Sequence, residues 1–201
     1  MKMSGLDRLL LLLTSILSAY QVSVGIDGLE APPIIAYTIA FGVLLVAALL
    51  LIILGFEVLD SPIVIIVSTV IPLSLSFGLV WEHLTPFRDP YLVFAIAGFA
   101  AIIVTRSFPM PGKLPVLVLA VIHGVAGLII FLLPVILAVT GQAKPGFALV
   151  GIGGGLIGLG GLLLSFMKSG KPILSRGTIL KILPGLLLVM TATYMAGFAL
   201  Q

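Results

Sequence analysis

Seven apolar stretches, each long enough or nearly long enough to cross a bilayer, follow one another along this chain with connections of roughly a dozen residues or fewer. They cover about 9–26, 33–56, 62–81, 90–105, 115–140, 145–167 and 178–200. Unpaired backbone amides are too costly in hydrocarbon, so unbroken runs of this kind are expected to be helices. The expected fold is an all-α integral membrane protein, a seven-transmembrane-helix bundle forming one domain over 1–201 with no soluble domain. The fourth stretch is short, and a locally thin or protein-packed region is expected around it.

Composition agrees. Of 201 residues, 61% are hydrophobic and 8% charged, whereas a soluble domain carries about a quarter charged residues. The chain could not cover a water-facing surface. Without cysteine there are no disulfides, thiolate metal sites or cysteine nucleophiles. The net charge of +3 does not point to nucleic acid as a partner, because in a membrane protein the side on which charges fall matters more than their sum.

With the N-terminus in the cytoplasm, that side receives Lys2, Arg8, Arg106, Lys113, Lys168, Lys171, Arg176 and Lys181, and the other side only Arg88 and Lys144. This split predicts N-terminus in and C-terminus out, in a cytoplasmic-type inner membrane with basic loops on the cytoplasmic side. The basic start, apolar core and Ser18-Ala19 of the first stretch also fit a signal peptide. Cleavage there would leave the other six spans oriented the same way.

After the first span, three hairpins share landmarks. Prolines open them at Pro33, Pro90 and Pro145, and glycines follow at Gly42, Gly98 and Gly153. Their second helices carry Val70-Ile71-Pro72, Val121-Ile122-His123 and Ile182-Leu183-Pro184. Internal symmetry is common in transporters, but one helix plus three hairpins is not the inverted repeat on which alternating access usually rests.

Polar groups at membrane depth are the natural functional candidates, since charge is expensive there. Asp7, Glu57, Asp60, Arg106 and Lys181 fall near span ends. Salt bridges between the acids Glu57 and Asp60 and the basic loops are the favoured reading, with Glu57 as a proton or cation site the sharper one. His123 is the one titratable side chain well inside a span, about 12 Å from its inner end at helical rise. A neutral imidazole there can ligate a haem or chlorophyll metal, relay a proton, or hydrogen-bond within the bundle. The last is favoured, although Gly124 and Gly127 leave room for a flat ring. Trp81 is placed as an interfacial anchor, with Glu82 and His83 as solvated loop residues. In the sixth span, Gly151, Gly154, Gly158 and Gly161 share one face, the pattern by which helices approach closely in lipid. The formal G-x-G-x-x-G match there lacks the strand that phosphate binding requires. Pro72, Pro134 and Pro184 lie within spans and free carbonyls.

No H-E-x-x-H, nucleophile elbow, P-loop or carboxylate cluster is present. The leading expectation is a non-catalytic polytopic subunit or scaffold of a larger membrane protein assembly, of the kind that handles pigments, quinones or electrons. Its partners would be the lipid bilayer and other membrane subunits. A small solute or ion transporter or channel is the first alternative. An intramembrane lipid-modifying enzyme with His123 as base is the second.

Overall fold

The computed structural model describes residues 3–110, 112–168 and 174–201, without the side chains at 162 and 164–168. Lys2, Lys171 and the side chain of Lys168 lie outside the described residues. The described residues form seven α-helices: α1 (Gly5–Val24), α2 (Ala31–Leu54), α3 (Pro62–His83), α4 (Arg88–Ser107), α5 (Leu114–Val139), α6 (Ala148–Lys168) and α7 (Arg176–Ala199). Short 3-10 turns at Phe56–Asp60, Thr85–Phe87 and Pro145–Phe147 lie in the α2–α3, α3–α4 and α5–α6 connections. Among the described residues six helices are long and apolar enough to cross a membrane, and Pro145–Gly161 is a shorter apolar segment.

Local signals explain the boundaries. Helix α1 begins four residues before the apolar run because Ser4 and Asp7 form a capping box, each side chain bonding the other's backbone amide. It stops at Gly25, whose φ of 69° suits glycine. Helix α4 has 20 residues, about 30 Å at helical rise, so the expected short fourth span is corrected. Arg88, Asp89 and Arg106 belong to its end turns, and Pro90 is tolerated in the first turn, where an amide would have no helical partner.

The helices run antiparallel in sequence, and six of them close a ring in the order α1, α2, α3, α5, α6, α7. Helix α4 lies outside it, against α3 and α5. Tyr37, Phe41, Leu75, Ile130, Phe147, Met190, Tyr194 and Phe198 fill the ring. A second cluster, Leu73, Ile102, Ile122 and Ala126, joins α3, α4 and α5. A third, with Leu11, Ala48, Leu51, Phe56 and Leu180, closes the end where α1 and α7 begin. We call this the basic end and the opposite one the tryptophan end.

The exterior is apolar, unlike that of a soluble bundle, and some polar residues turn inward. Helix α1 buries Asp7, Leu11, Thr14, Ser15, Ser18 and Gln21 on one helical face, while Leu9, Leu12, Ile16 and Tyr20 are exposed. Large apolar side chains also cover the outer faces of α2, α4 and α5, including Ile53, Val93, Ile96 and Leu128. Such a surface suits lipid, where inward small polar residues and close packing hold helices together.

Candidate functional site at the tryptophan end

Successive residues on a helix point about 100° apart, as 3.6 residues per turn requires. At the last turn of α3 this sends Trp81, Glu82 and His83 to three different neighbours. The Trp81 indole donates to Glu30 Oε2 at 3.0 Å, before α2. Arg88, at the start of α4, places its guanidinium 5.1 Å over the Trp81 ring, donates to the Trp81 carbonyl, and stands 3.5 Å from Glu30 Oε1. The indole N–H first, and the Arg88 charge next, hold the Glu30 carboxyl below the usual carboxylate range.

Glu82 and His83 turn inward. Tyr37, 2% exposed on α2, donates its hydroxyl to Glu82 Oε2 at 3.4 Å. Glu82 Oε1 lies 3.7 Å from His83 Nε2, and both side chains are only about one-fifth exposed. The His83 ring packs 5.2 Å from Phe147, Phe147 lies 6.3 Å from Phe198, and Phe198 lies 4.6 Å from Tyr37. These contacts form a closed circuit of five side chains across the mouth of the ring. The expectation of Glu82 and His83 as solvated loop residues is corrected: both belong to α3 and pack inside. His83 Nε2 and the deeper Tyr194 hydroxyl are buried without a hydrogen-bond partner among the described residues. Chemically the cluster can hold or pass one proton among carboxylate, imidazole and phenol. Tyr37 went unnoticed in the sequence, although a tyrosine inside a span needs a hydroxyl partner and so signals one.

The other candidates lie apart. Glu57 is exposed on the turn at the basic end and has no ion pair among the described residues, whereas Asp60 pairs with Arg176 at 2.8 Å. His123 is part-exposed on α5, with Nδ1 at 3.2 Å from its own helix's Leu119 carbonyl. With Nδ1 protonated, Nε2 is left as a single ligand for the metal of a haem- or chlorophyll-type ring, and Gly124 and Gly127 beside it are open. Among the described residues no three His, Asp or Glu side chains group to hold a metal ion. Pro72 and Pro184, at the matching positions of the other hairpins, are buried.

The glycine face of α6 divides. A β-carbon on Gly151 would stand 2.6 Å from the Phe131 carbonyl oxygen, and one on Gly154 would stand 2.9 Å from the Ile130 carbonyl carbon, so α5 backbone fills that space. Gly153 meets Tyr194 of α7 instead. Gly158 and Gly161, on the same face towards the basic end, are exposed and face open space.

Together the fold and its apolar exterior define an integral, multi-pass membrane protein with a packed helical interior. No protein-family model, curated protein sequence or solved structure matches the chain.

Proposed function

We propose that this chain is a non-catalytic polytopic subunit or scaffold of a larger membrane assembly, set with its N-terminus in the cytoplasm. The destination of the interior hydroxyls carries the reading. Thr14, Ser15, Thr69, Ser76 and Thr191 face inward, and they donate to the carbonyls of Leu10, Leu11, Ile65, Pro72 and Leu187 of their own helices. This back-bonding satisfies each hydroxyl locally, leaving few groups aimed at a substrate. The space among Ala40, Phe41, Leu75 and Tyr194 has no room for water, and that beside Gln21 and Tyr37 has about 10 Å³, enough for one at most. On the outside, His123 and the open glycines of α5 and α6 offer places for a neighbouring helix or a flat pigment or quinone.

Solubilisation in mild detergent followed by mass spectrometry should recover stoichiometric partner proteins. A chain that purifies alone and supports solute flux in liposomes would overturn the subunit reading. The orientation rests on the eight-to-two division of lysine and arginine. Reporter fusions at Gly112 and Ser175 should read cytoplasmic and at Gly141 external, and the reverse pattern would sink it.

A proton-coupled transporter is the second reading, favoured by the Tyr37–Glu82–His83 cluster at the mouth of the ring. Flux that is lost in Glu82→Gln would support it over the first.

A further inference from the structure

Charge is distributed unevenly along the chain. Residues 90–201 contain no aspartate or glutamate, yet hold seven of the ten lysines and arginines. At the basic end Arg176 has Asp60 as its partner, but Arg106, Lys113 and Lys181 have no carboxylate partner among the described residues. Two of these three are brought together. Arg106, in the last turn of α4, donates from Nη2 to the Pro115 carbonyl of α5 at 3.1 Å. Its guanidinium therefore ends within two residues of Lys113, which stands immediately before α5.

The bond to Pro115 fixes a side chain that would otherwise sample many rotamers, so an incoming anion meets a pre-organised fork. Arg106 keeps donors beyond that bond, and Lys113 adds a mobile point charge. Close to them in the chain, Phe108, Val116 and Leu117 are each more than 60% exposed, a bare apolar surface. Paired cations without an anion, bordered by lipid-facing hydrocarbon, complement one chemistry: a phosphate carried on acyl chains.

We propose that Arg106 and Lys113 form a seat for the phosphate of an anionic phospholipid, with an acyl chain lying along Val116 and Leu117. The guanidinium and ammonium donate to the phosphate oxygens from the α4–α5 connection, and the lipid lies against the exposed apolar side chains that follow it on α5. This inference is independent of the subunit reading, since it concerns the chain's own lipid contact.

The test uses the full chain in a mild non-ionic detergent, titrated with phosphatidylglycerol or phosphatidylcholine and read by native mass spectrometry and thermal midpoint. Phosphatidylglycerol should be retained and raise the midpoint, and phosphatidylcholine should do neither. Arg106→Gln and Lys113→Gln should each weaken retention about fivefold, the effect of one cation at a charged membrane surface, while Lys181→Gln changes it less than twofold. Lys113 is exposed and makes no hydrogen bond through its side chain among the described residues, so its variant remains informative if Arg106→Gln fails to fold. Equal retention of both lipids would overturn the proposal. So would equal losses in Lys113→Gln and Lys181→Gln, which would mean a diffuse field with no seat. Displacement of the lipid by millimolar inorganic phosphate would make it a free-anion site and likewise overturn it.

Discussion

Pro134 of α5 and Gly154 of α6 meet through a single carbonyl. Pro134 has no amide hydrogen to give the Ile130 carbonyl one turn back, and that carbonyl is the backbone against which Gly154 packs. A β-carbon at 154 would stand 3.0 Å from the Ile130 oxygen and 2.7 Å from its Cγ2. The proline and the glycine are therefore parts of one device. One frees a carbonyl, and the other lets a second backbone come close beside it.

Gly154→Ala should accordingly destabilise the chain by about 1–3 kcal/mol, the usual cost of inserting a methyl into filled space. Gly158→Ala, on the same face but in the open, should be neutral or stabilising by up to about 1 kcal/mol, because alanine favours helix over glycine. Unfolding of both variants in mixed micelles, followed by circular dichroism, separates the two sites. Equal losses would mean that α5 and α6 pack along the whole face.

The contrast shows where the sequence was legible and where it was not. Spacing alone placed Gly151, Gly154, Gly158 and Gly161 on one side of α6, because helical periodicity is a local property. Which part of that side meets another backbone depends on how α5 runs beside it, and no pattern within α6 records that. The seven helices were legible for the same local reason. Their ends drifted where short-range chemistry outweighed hydropathy, as at the Ser4–Asp7 capping box and the charged end turns of α4. The Tyr37–Glu82 bond joins residues 45 apart and arises only from the docking of α2 on α3. His123 was legible as the odd polar residue among prolines, and its part-exposed setting on α5 was not.

Tyr37 and Glu82 test the circuit at the tryptophan end. Tyr37→Phe removes a donor from a mostly buried carboxylate and should cost about 0.5–1.5 kcal/mol, the net value of an ordinary hydrogen bond. Glu82→Gln keeps an oxygen that accepts from the phenol and removes the desolvated charge, so its loss should be smaller. In the double variant the cost of Tyr37→Phe should shrink, and thermal unfolding of the four proteins of this cycle measures that coupling. Strict additivity would show that the hydroxyl and the carboxylate do not act on each other.

Glu30 predicts a pH dependence of definite sign. Its folded-state pKa is lowered by the Trp81 indole and then by Arg88, so its contribution to stability is present above the ordinary glutamate value. That contribution is lost as pH falls through the lower, folded value. The exposed setting makes it small and salt-sensitive. The thermal midpoint of the wild type should fall more than that of Glu30→Gln as the buffer is taken from pH 6 to below about 4, the ordinary carboxylate range. Added salt should narrow the gap. Parallel midpoints across that window would show that the Glu30–Trp81–Arg88 contacts do not hold in the membrane-free protein.

His123 separates a structural residue from a ligand. Its Nδ1 already faces the Leu119 carbonyl of its own helix, and a glutamine amide can donate to that same oxygen. His123→Gln should therefore leave fold, partner retention and thermal midpoint close to the wild type. A relay role would leave the spectrum unchanged and remove the dependence of activity on pH near neutrality. An axial-ligand role would instead appear as a visible absorption band in the wild-type protein, isolated with its partners, that bleaches or shifts in the variant. Gly124 and Gly127 give a second handle, because alanine at either enters open space and leaves the chain's own packing untouched. A band lost in His123→Gln and shifted in Gly124→Ala would place a flat cofactor on the outer face of α5 and make cofactor binding the leading reading of this protein.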